Sequence, residues 1–197
     1  MRWTEISEAR QAPLYHFMES DKAVPCFRVD AMGANWIHVI DGERVKGNSF
    51  TRNAHYNHNR PIRLTMNQMV LATRHKIIPL DGERTFRNTM YHDDVRHFPD
   101  TELRVSNVRD RQMNSRIGSE LTLSEEFVVG DIAPLSRAIT LIEITQPCFR
   151  GHDTMTLVAV TKAYGEKYGI EVVINPKVIE NIERIQAMWD EDEDTQY

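Results

Sequence analysis

The sequence predicts a mixed α+β fold, and three observations support that prediction. Short runs of apolar and β-branched residues recur along the chain, each bounded by Gly, Pro, Asn or Asp, which is typical of short strands. Apolar residues near the C-terminus repeat at helical spacing. Strands and helices alternate in short pieces without an internal repeat. The 197 residues, of which 41% are hydrophobic, are enough for one domain with a sizeable core.

In the first eighty residues, most strands are predicted from the alternation of apolar and polar side chains. Asp41 and Gly42 close one of them with a hairpin signal. Ser20 or Asp21 would cap the second helix, which tolerates Pro25. The predicted strands are residues 14–18, 36–40, 61–65 and 76–80, an alternating segment covers residues 48–53, and the predicted helices are residues 1–12, 23–29 and 67–72.

The second half of the chain begins with a polar stretch and then becomes strongly apolar. Residues 83–118 are rich in Arg, Asn and Asp, which is typical of a functional loop inserted in a domain. Glu125 and Glu126 then open an apolar strand, and Gly130 ends it. The remaining predictions are a short helix from Pro134 leading into an apolar piece that ends at residue 144, strands over 155–160 and 170–174, a turn or short helix over 164–168, and a helix over 178–189.

A single domain is expected over residues 1–189, followed by an acidic, disordered tail over residues 190–197, because five consecutive acids repel one another and bury nothing. The last helix is expected to pack Ile179, Ile182 and Ile185 on the body of the domain. No apolar run approaches the roughly 18 residues of a membrane span. The charged N-terminus lacks an apolar signal core, so a cytoplasmic protein without membrane contact is expected.

The cysteines and histidines do not predict a metal site. Cys26 and Cys148 are the two cysteines, and neither belongs to a Cys-x-x-Cys motif, so free and buried thiols are expected. His55 and His58 are three residues apart in a predicted loop with no adjacent acid. We therefore expect no bound metal.

The charge is distributed unevenly along the chain. The formal net charge is -5, and the acidic tail alone contributes five negative charges, so the rest is close to neutral. Residues 52–116 contain twelve Lys or Arg against seven Asp or Glu, and most of the basic residues are Arg. Arginine binds phosphate through two parallel hydrogen bonds, which favours a ligand that carries phosphate. A surface covered by salt bridges would have the same composition.

Two acids at the start of the apolar strand are candidate functional residues. Side chains alternate between the faces of a strand, so one of Glu125 and Glu126 can face a cleft while its neighbour faces solvent. A carboxylate placed there could hold a sugar hydroxyl or stabilise a developing positive charge; a solvated strand end is the alternative. His16 lies inside or beside the core, where a hydrogen-bonded structural histidine is the alternative to a functional one.

Three short pieces stand in an order that resembles a known family. They are Leu14-Tyr15-His16 near the start, Ser49-Phe50-Thr51-Arg52 after a strand, and Glu126-Phe127-Val128-Val129-Gly130-Asp131-Ile132 leading into Pro134. The chain resembles the ADP-ribosyltransferase fold, with its split mixed or antiparallel sheets and short flanking helices. It is most similar to the DNA-targeting DarT type and to small phage-encoded relatives.

The resemblance implies NAD as substrate and a role for each matching residue. His16, with Tyr15 and Ser49, would bind the dinucleotide and hold its ribose hydroxyls. Arg52 would neutralise the pyrophosphate or position the acceptor, and Glu126 would be the catalytic carboxylate. These residue types suit the reaction, because cleavage of the nicotinamide bond passes through an oxocarbenium-like sugar that needs a nearby carboxylate.

The implied function is NAD-dependent transfer of ADP-ribose to a macromolecular acceptor, either a protein or a nucleic acid such as DNA or RNA. Aromatic residues between the arginines of the middle of the chain favour a nucleic acid. The chain departs from the family in a longer loop after Arg52 and in about fifty residues added after Ile144, which bear most on the acceptor. The alternative is a catalytically inactive protein of this fold that serves as a binding or virion-associated phage protein.

Overall fold

The computed structural model describes residues 13–40, 43–51, 54, 59–81 and 124–194. The predicted helix over residues 1–12 and the polar insertion over residues 83–118 lie outside this part of the chain.

In the described ranges, eight strands form one sheet. The strands are β1 (Leu14–Met18), β2 (Trp36–Ile40), β3 (Glu43–Thr51), β4 (Ile62–Met66), β5 (Ile77–Asp81), β6 (Ser124–Val129), β7 (Ile139–Ile144) and β8 (Glu171–Ile174). In space they run β5-β6-β3-β1-β4-β7-β8, and β2 pairs with β3 beside this path. The β7–β8 pair is parallel, and the other pairs are antiparallel.

Strand β3 pairs with three strands, β1, β2 and β6, and two of them lie along the same edge of β3. Gly47 pairs with Trp36 of β2 and with Val129 of β6, so β2 and β6 lie on opposite edges of β3. Thr51 pairs with β1 and also with β6, so β1 lies on the same edge as β2. Between these two contacts, residues 48–50 of β3 have no partner strand on that edge within the described residues. The sheet therefore opens between β1 and β2.

Four α-helices within the described residues pack around the sheet. They are α1 (Ser20–Val29), α2 (Gln68–Ala72), α3 (Gly151–Tyr168) and α4 (Pro176–Asp194). Helix α3 packs on α1 and also contacts α4, β7 and β8. The main core is formed by buried apolar residues of β1, β4 and β7 together with those of the helices. It includes Leu14, Phe27, Ile62, Leu64, Met66, Leu71, Ile142, Leu157 and Val178.

The Asp30 carboxylate joins the end of α1 to α3 and to the turn before β7. Asp30 adopts the left-handed conformation that ends α1, with φ 53°. Its Oδ1 accepts hydrogen bonds from the Ser136 N–H at 2.7 Å and the Tyr164 hydroxyl at 2.5 Å, and Oδ2 accepts one from the Ser136 hydroxyl. Burial alone would raise the pKa of Asp30, but the hydrogen bonds from Tyr164 and Ser136 outweigh it and hold that pKa below its ordinary value.

Several predicted elements are confirmed. The predicted strands over residues 14–18, 36–40, 61–65, 76–80 and 170–174 correspond to β1, β2, β4, β5 and β8. The hairpin signal is confirmed as well, because Ile40 pairs with Glu43 across the two intervening residues. Helix α2 begins after Asn67, whose side chain accepts hydrogen bonds from two backbone N–H groups. Cys26 and Cys148 are free thiols as expected, but both are half-buried rather than buried.

The predicted strand over residues 155–160 is wrong, because these residues lie in the middle of α3. Thr156, Val158 and Val160 are β-branched and produced the strand signal. The buried residues of this segment instead follow helical spacing, at Thr154, Leu157, Thr161 and Tyr164. Packing of that stripe on α1 overrides the local preference for a strand. The predicted turn or short helix over residues 164–168 is the end of the same helix.

Other element boundaries differ from the predicted ones. In place of the short helix predicted from Pro134, a single 3-10 turn, Leu135–Arg137, precedes β7. Helix α1 begins at Ser20, and its N-cap residue is Glu19 rather than Ser20 or Asp21. Helix α4 extends to Asp194, into the acidic run.

The stripe that α4 packs on the domain also differs from the predicted one. Ile179 is exposed, whereas Val178 is buried and Ile182 packs against the core. Among the residues the structure describes, no helix is both long enough and apolar enough to cross a membrane.

Candidate active site

Glu126 is buried, and it lies within β6 rather than at the start of that strand. It is the third residue of β6 and pairs with Phe50 of β3 on one side and with Pro79 of β5 on the other. Its side chain is fully buried. The sequence placed Glu126 at the mouth of the strand because the apolar run begins at Phe127. The strand begins earlier, at Ser124, since its first residues also pair with β5.

Three polar side chains gather around Phe50 on one face of the sheet. Residues directly opposite each other in an antiparallel pair share a face, so Glu126 lies on the face of Phe50. Asn48 is two residues before Phe50 on β3 and shares that face. The His16 ring lies 4.9 Å from the Phe50 ring, centroid to centroid. The site therefore combines a carboxylate, an amide and an imidazole beside the opening between β1 and β2.

His16 is held in one tautomer. Its Nδ1 lies 2.8 Å from the backbone oxygen of Ser49, and because a carbonyl only accepts, Nδ1 carries the hydrogen. Burial lowers the pKa of His16, the hydrogen bond to Ser49 opposes this, and the charge of Arg60 lowers it further, so the ring is neutral near pH 7. Nε2 is then a hydrogen-bond acceptor, which suits a sugar hydroxyl.

Asn48 is a buried hydrogen-bond donor that the sequence analysis did not select. Its side chain is 1% exposed, and Nδ2 makes no hydrogen bond to any residue that the structure describes. An amide buried in this way loses its water without compensation, which costs about 1–3 kcal/mol unless a ligand accepts the bond. The sequence shows that Asn48 is two residues from Phe50 in an alternating segment, which places both on one face of a strand. It does not show that Asn48 is buried, because that burial depends on the pairing of β3 with β6.

Tyr15 and Ser49 do not place their side chains beside Glu126. Tyr15 pairs with Thr51 and Thr65 and lies on the opposite face of the sheet. There the Arg63 guanidinium sits 5.9 Å from the centre of its ring. Ser49 is opposite Phe127, also on that face, and its contribution to the site is the carbonyl that orients His16.

Arg60, which the sequence did not single out as a site residue, is a cation that acts on this group. Its charge acts on His16, and its guanidinium forms an ion pair of 2.8 Å with Glu19. Arg52 lies outside the described residues. No cluster of three or more His, Cys, Asp or Glu in the described ranges could hold a metal ion.

The comparisons with known proteins identify the fold. No protein-family model and no curated protein matches the sequence. Three solved structures of Thermus sp. 2.9 DarT match. The carba-NAD+ complex has a TM-score of 0.53 at 13% identity, and the NAD+ complex has a TM-score of 0.54 at 12% identity; each match covers 85% of this chain and 97% of that chain. The complex with ADP-ribosylated ssDNA has a TM-score of 0.50 at 12% identity, covering 85% and 96%.

The chain therefore has an α+β fold of the ADP-ribosyltransferase type. Within that type, the fold is the one seen in DarT. The resemblance inferred from three short sequence pieces is confirmed for the fold. At 12–13% identity the match establishes the shared fold, and the roles of individual residues depend on the geometry described above.

Proposed function

We propose that the protein is an NAD-dependent ADP-ribosyltransferase that transfers ADP-ribose to a macromolecular acceptor. One observation carries the proposal: Glu126 is buried on the same face of the sheet as His16 and Asn48, beside the opening between β1 and β2. The fold supports it, because it is shared with a DarT solved with NAD+ and with ADP-ribosylated ssDNA.

The transfer begins with the bond between C1′ of the nicotinamide ribose and the nicotinamide nitrogen. That bond breaks, its electron pair stays on nicotinamide, and the sugar becomes an oxocarbenium-like cation. The Glu126 carboxylate stabilises this charge in a site from which water is excluded, where a charge interaction is stronger than in water. A nucleophile of the acceptor then bonds to C1′ and gives its proton to Glu126 or to water.

The other residues bind and orient NAD. Neutral His16 accepts a hydrogen bond from a ribose hydroxyl through Nε2, and the Ser49 carbonyl fixes its ring. Asn48 donates through Nδ2 to an oxygen of the dinucleotide, which satisfies a donor that has no described partner. We assign the diphosphate to Arg52, at the end of the alternating segment, with Arg60 adding positive charge near His16. Tyr15 supports the strand from the opposite face.

The acceptor is proposed to be a nucleic acid, and such an enzyme would act in the cytoplasm. The match to a DarT bound to ADP-ribosylated ssDNA supports this acceptor, as do the many arginines in residues 52–116.

The test is a pair of measurements on the purified chain. NAD should raise the melting temperature by an amount that grows with the logarithm of its concentration. Nicotinamide should be released from NAD, and radiolabelled ADP-ribose should appear on single-stranded DNA or on RNA. Label on protein alone would contradict the proposed nucleic-acid acceptor. Absence of both stabilisation and nicotinamide release would overturn the proposal.

A further inference from the structure

Helix α4 carries an apolar stripe that continues past the surface on which the helix packs. The stripe has the alternating four- and three-residue spacing of a coiled-coil seam, and its members are Val178, Ile182, Ile185 and Trp189. Val178 is buried, and Ile182 packs against the core. Ile185 is half-buried, whereas Trp189 is 51% exposed. The first part of the stripe is therefore covered by the core, and its end is not.

Helix α4 leaves the body of the protein after Ile185. A Cβ added at Gly151, the first residue of α3, would collide with the Ile185 side chain, so α4 touches the start of α3 at this point. The next four residues, 186–189, are all exposed, and four consecutive residues cover every side of a helix. The helix nevertheless continues to Asp194. At about 1.5 Å per residue, the segment beyond Ile185 is roughly 14 Å long.

Large apolar side chains are exposed where α4 leaves the body of the protein. Met188 is 60% exposed, and Trp189 follows it on the helix. Phe149 is fully exposed and precedes Gly151 by two residues, which span about 7 Å of extended chain at most. We call Phe149, Met188 and Trp189 the apolar corner. Aromatic residues and methionine are enriched at protein interfaces, and a group of exposed apolar side chains marks such a surface.

Electrostatics favour a cationic partner for this end of α4. Residues 190–194 are all Asp or Glu, and the last turn of the helix contains no basic residue. Like charges four residues apart, as at Asp190 and Asp194, destabilise a helix. Negative charge is also unfavourable at a helix C-terminus, which is the negative end of the helix dipole. A basic partner would relieve both effects, because it supplies positive charge beside the last turns.

A second copy of this chain does not fit the same surface. Between residues 183 and 194 the chain has six acids and one base, Arg184. Two such segments brought together would place like charges opposite each other, which disfavours the pairing. A helix with an apolar stripe flanked by Lys or Arg has the complementary character. We propose that the exposed end of α4 and the apolar corner bind a basic amphipathic helix of another protein. This inference does not depend on the proposed reaction.

The experiment uses synthetic helical peptides as probes and the full chain as the receptor. The basic peptide has about three heptads, with leucine at positions a and d and lysine at positions e and g. One control peptide has glutamate in place of the lysines, and another keeps the lysines and has serine in place of the leucines. Fluorescence anisotropy of the labelled peptides gives the dissociation constants at several salt concentrations.

Two variants of the chain test the two parts of the surface. The apolar variant is Phe149→Ala with Trp189→Ala, and its control is Trp36→Ala with Ile37→Ala, which removes two exposed apolar side chains on β2. The charge variant is Glu191→Gln with Glu193→Gln. Its control is Glu166→Gln with Glu171→Gln, which neutralises two exposed acids on α3 and β8. Unfolding curves are measured for every variant.

The basic peptide should bind the wild type at least about 10-fold more tightly than either control peptide. The apolar variant should weaken this binding at least about 10-fold, as expected when buried aromatic anchors are removed. The charge variant should weaken it about 3- to 10-fold and reduce its dependence on salt. Both control variants should bind within twofold of the wild type.

Three results would overturn the inference. The first is equal binding of the basic peptide and the control peptides, and the second is equal losses in the variants and in their controls. The third is a dimer of the wild type in sedimentation that the apolar variant dissociates, because the occupant of the surface would then be a second copy of the chain.

Discussion

The atoms around His16 keep its ring neutral, with the hydrogen on Nδ1. The Ser49 carbonyl requires a hydrogen on Nδ1, and burial disfavours a second proton on Nε2. A histidine of this kind cannot act as an acid near neutral pH, so its role in binding is that of an acceptor. Its lowered pKa also makes it a contributor to the pH dependence of stability.

The stability of the protein should fall on acidification partly because of His16. Its folded pKa lies below the ordinary value of 6.5, so between the two values the unfolded chain binds more protons. The contribution is therefore fully present above pH 6.5 and is lost as the pH falls from 6.5 towards the folded pKa. Urea unfolding of the wild type and of His16→Asn at pH 8, 7, 6 and 5 checks this. The advantage of the wild type should shrink as the pH falls; a constant difference would contradict it.

Replacing Asn48 by leucine should preserve or raise the stability of the protein and should lower its affinity for NAD. In Asn48→Leu the buried donor without a described partner is removed, so the free energy of unfolding should stay the same or rise by about 1–2 kcal/mol. The affinity for NAD should fall at least about 10-fold, because one hydrogen bond to the ligand is lost. Unfolding curves and NAD titrations measure the two effects.

Asn67 provides the matched control for that substitution. Its Oδ1 accepts hydrogen bonds from the N–H groups of Met69 and Val70 at the start of α2. Asn67→Leu should therefore cost about 1 kcal/mol of stability and leave NAD affinity unchanged. If Asn48→Leu behaved like Asn67→Leu, Asn48 would have a structural role and no role in binding.

At the scale of elements, β3 organises the site because it pairs with β1, β2 and β6. Its register depends on close packing at Gly47, where an added Cβ would lie 2.3 Å from the Val128 oxygen and 2.8 Å from the Phe127 ring. The strand can approach β6 this closely only because residue 47 has no side chain. Any shift of β3 at this point would also move Asn48 and Ser49.

Gly47→Ala should consequently destabilise the protein by about 1–3 kcal/mol, the usual cost of overpacking. The control is Gly33→Ala, because the described atom nearest to a Cβ at Gly33 is Asp131 Oδ1, at 4.0 Å. That variant should remain within about 0.5 kcal/mol of the wild type. Chemical denaturation of both proteins decides the point, and equal stabilities would show that β3 and β6 can separate at low cost.

In helix α3 the local sequence pattern predicts the wrong secondary structure. Alternating β-branched residues predicted a strand over residues 155–160, but the residues that become buried are Leu157, Thr161 and Tyr164. These pack towards α1 and the Asp30 carboxylate, which are more than a hundred residues earlier in the chain. Elements whose alternation matched their own burial, such as β4 with its alternating pattern, were predicted correctly.

At the scale of the whole molecule, the candidate-site residues that were predicted carry a local sequence signal, and those that were missed depend on contacts between distant parts of the chain. Glu126 and His16 belong to short pieces that resemble a family, and the fold of that family is the one observed. Asn48 and Arg60 do not stand out locally. Their positions depend on the pairing of β3 with β6 and on the charge near His16, which arise from contacts between distant parts of the chain.

The most direct test of the central claim compares the rates of nicotinamide release from NAD in the wild type, Glu126→Gln and Glu125→Gln. Glutamine keeps the shape of the buried side chain and removes its charge. Glu126→Gln should lower the rate at least about 100-fold, the scale of losing a key electrostatic group in a transition state, while unfolding curves show a folded protein. Glu125→Gln should remain close to the wild type. A Glu126→Gln protein that releases nicotinamide at the wild-type rate would contradict the claim that this carboxylate is catalytic.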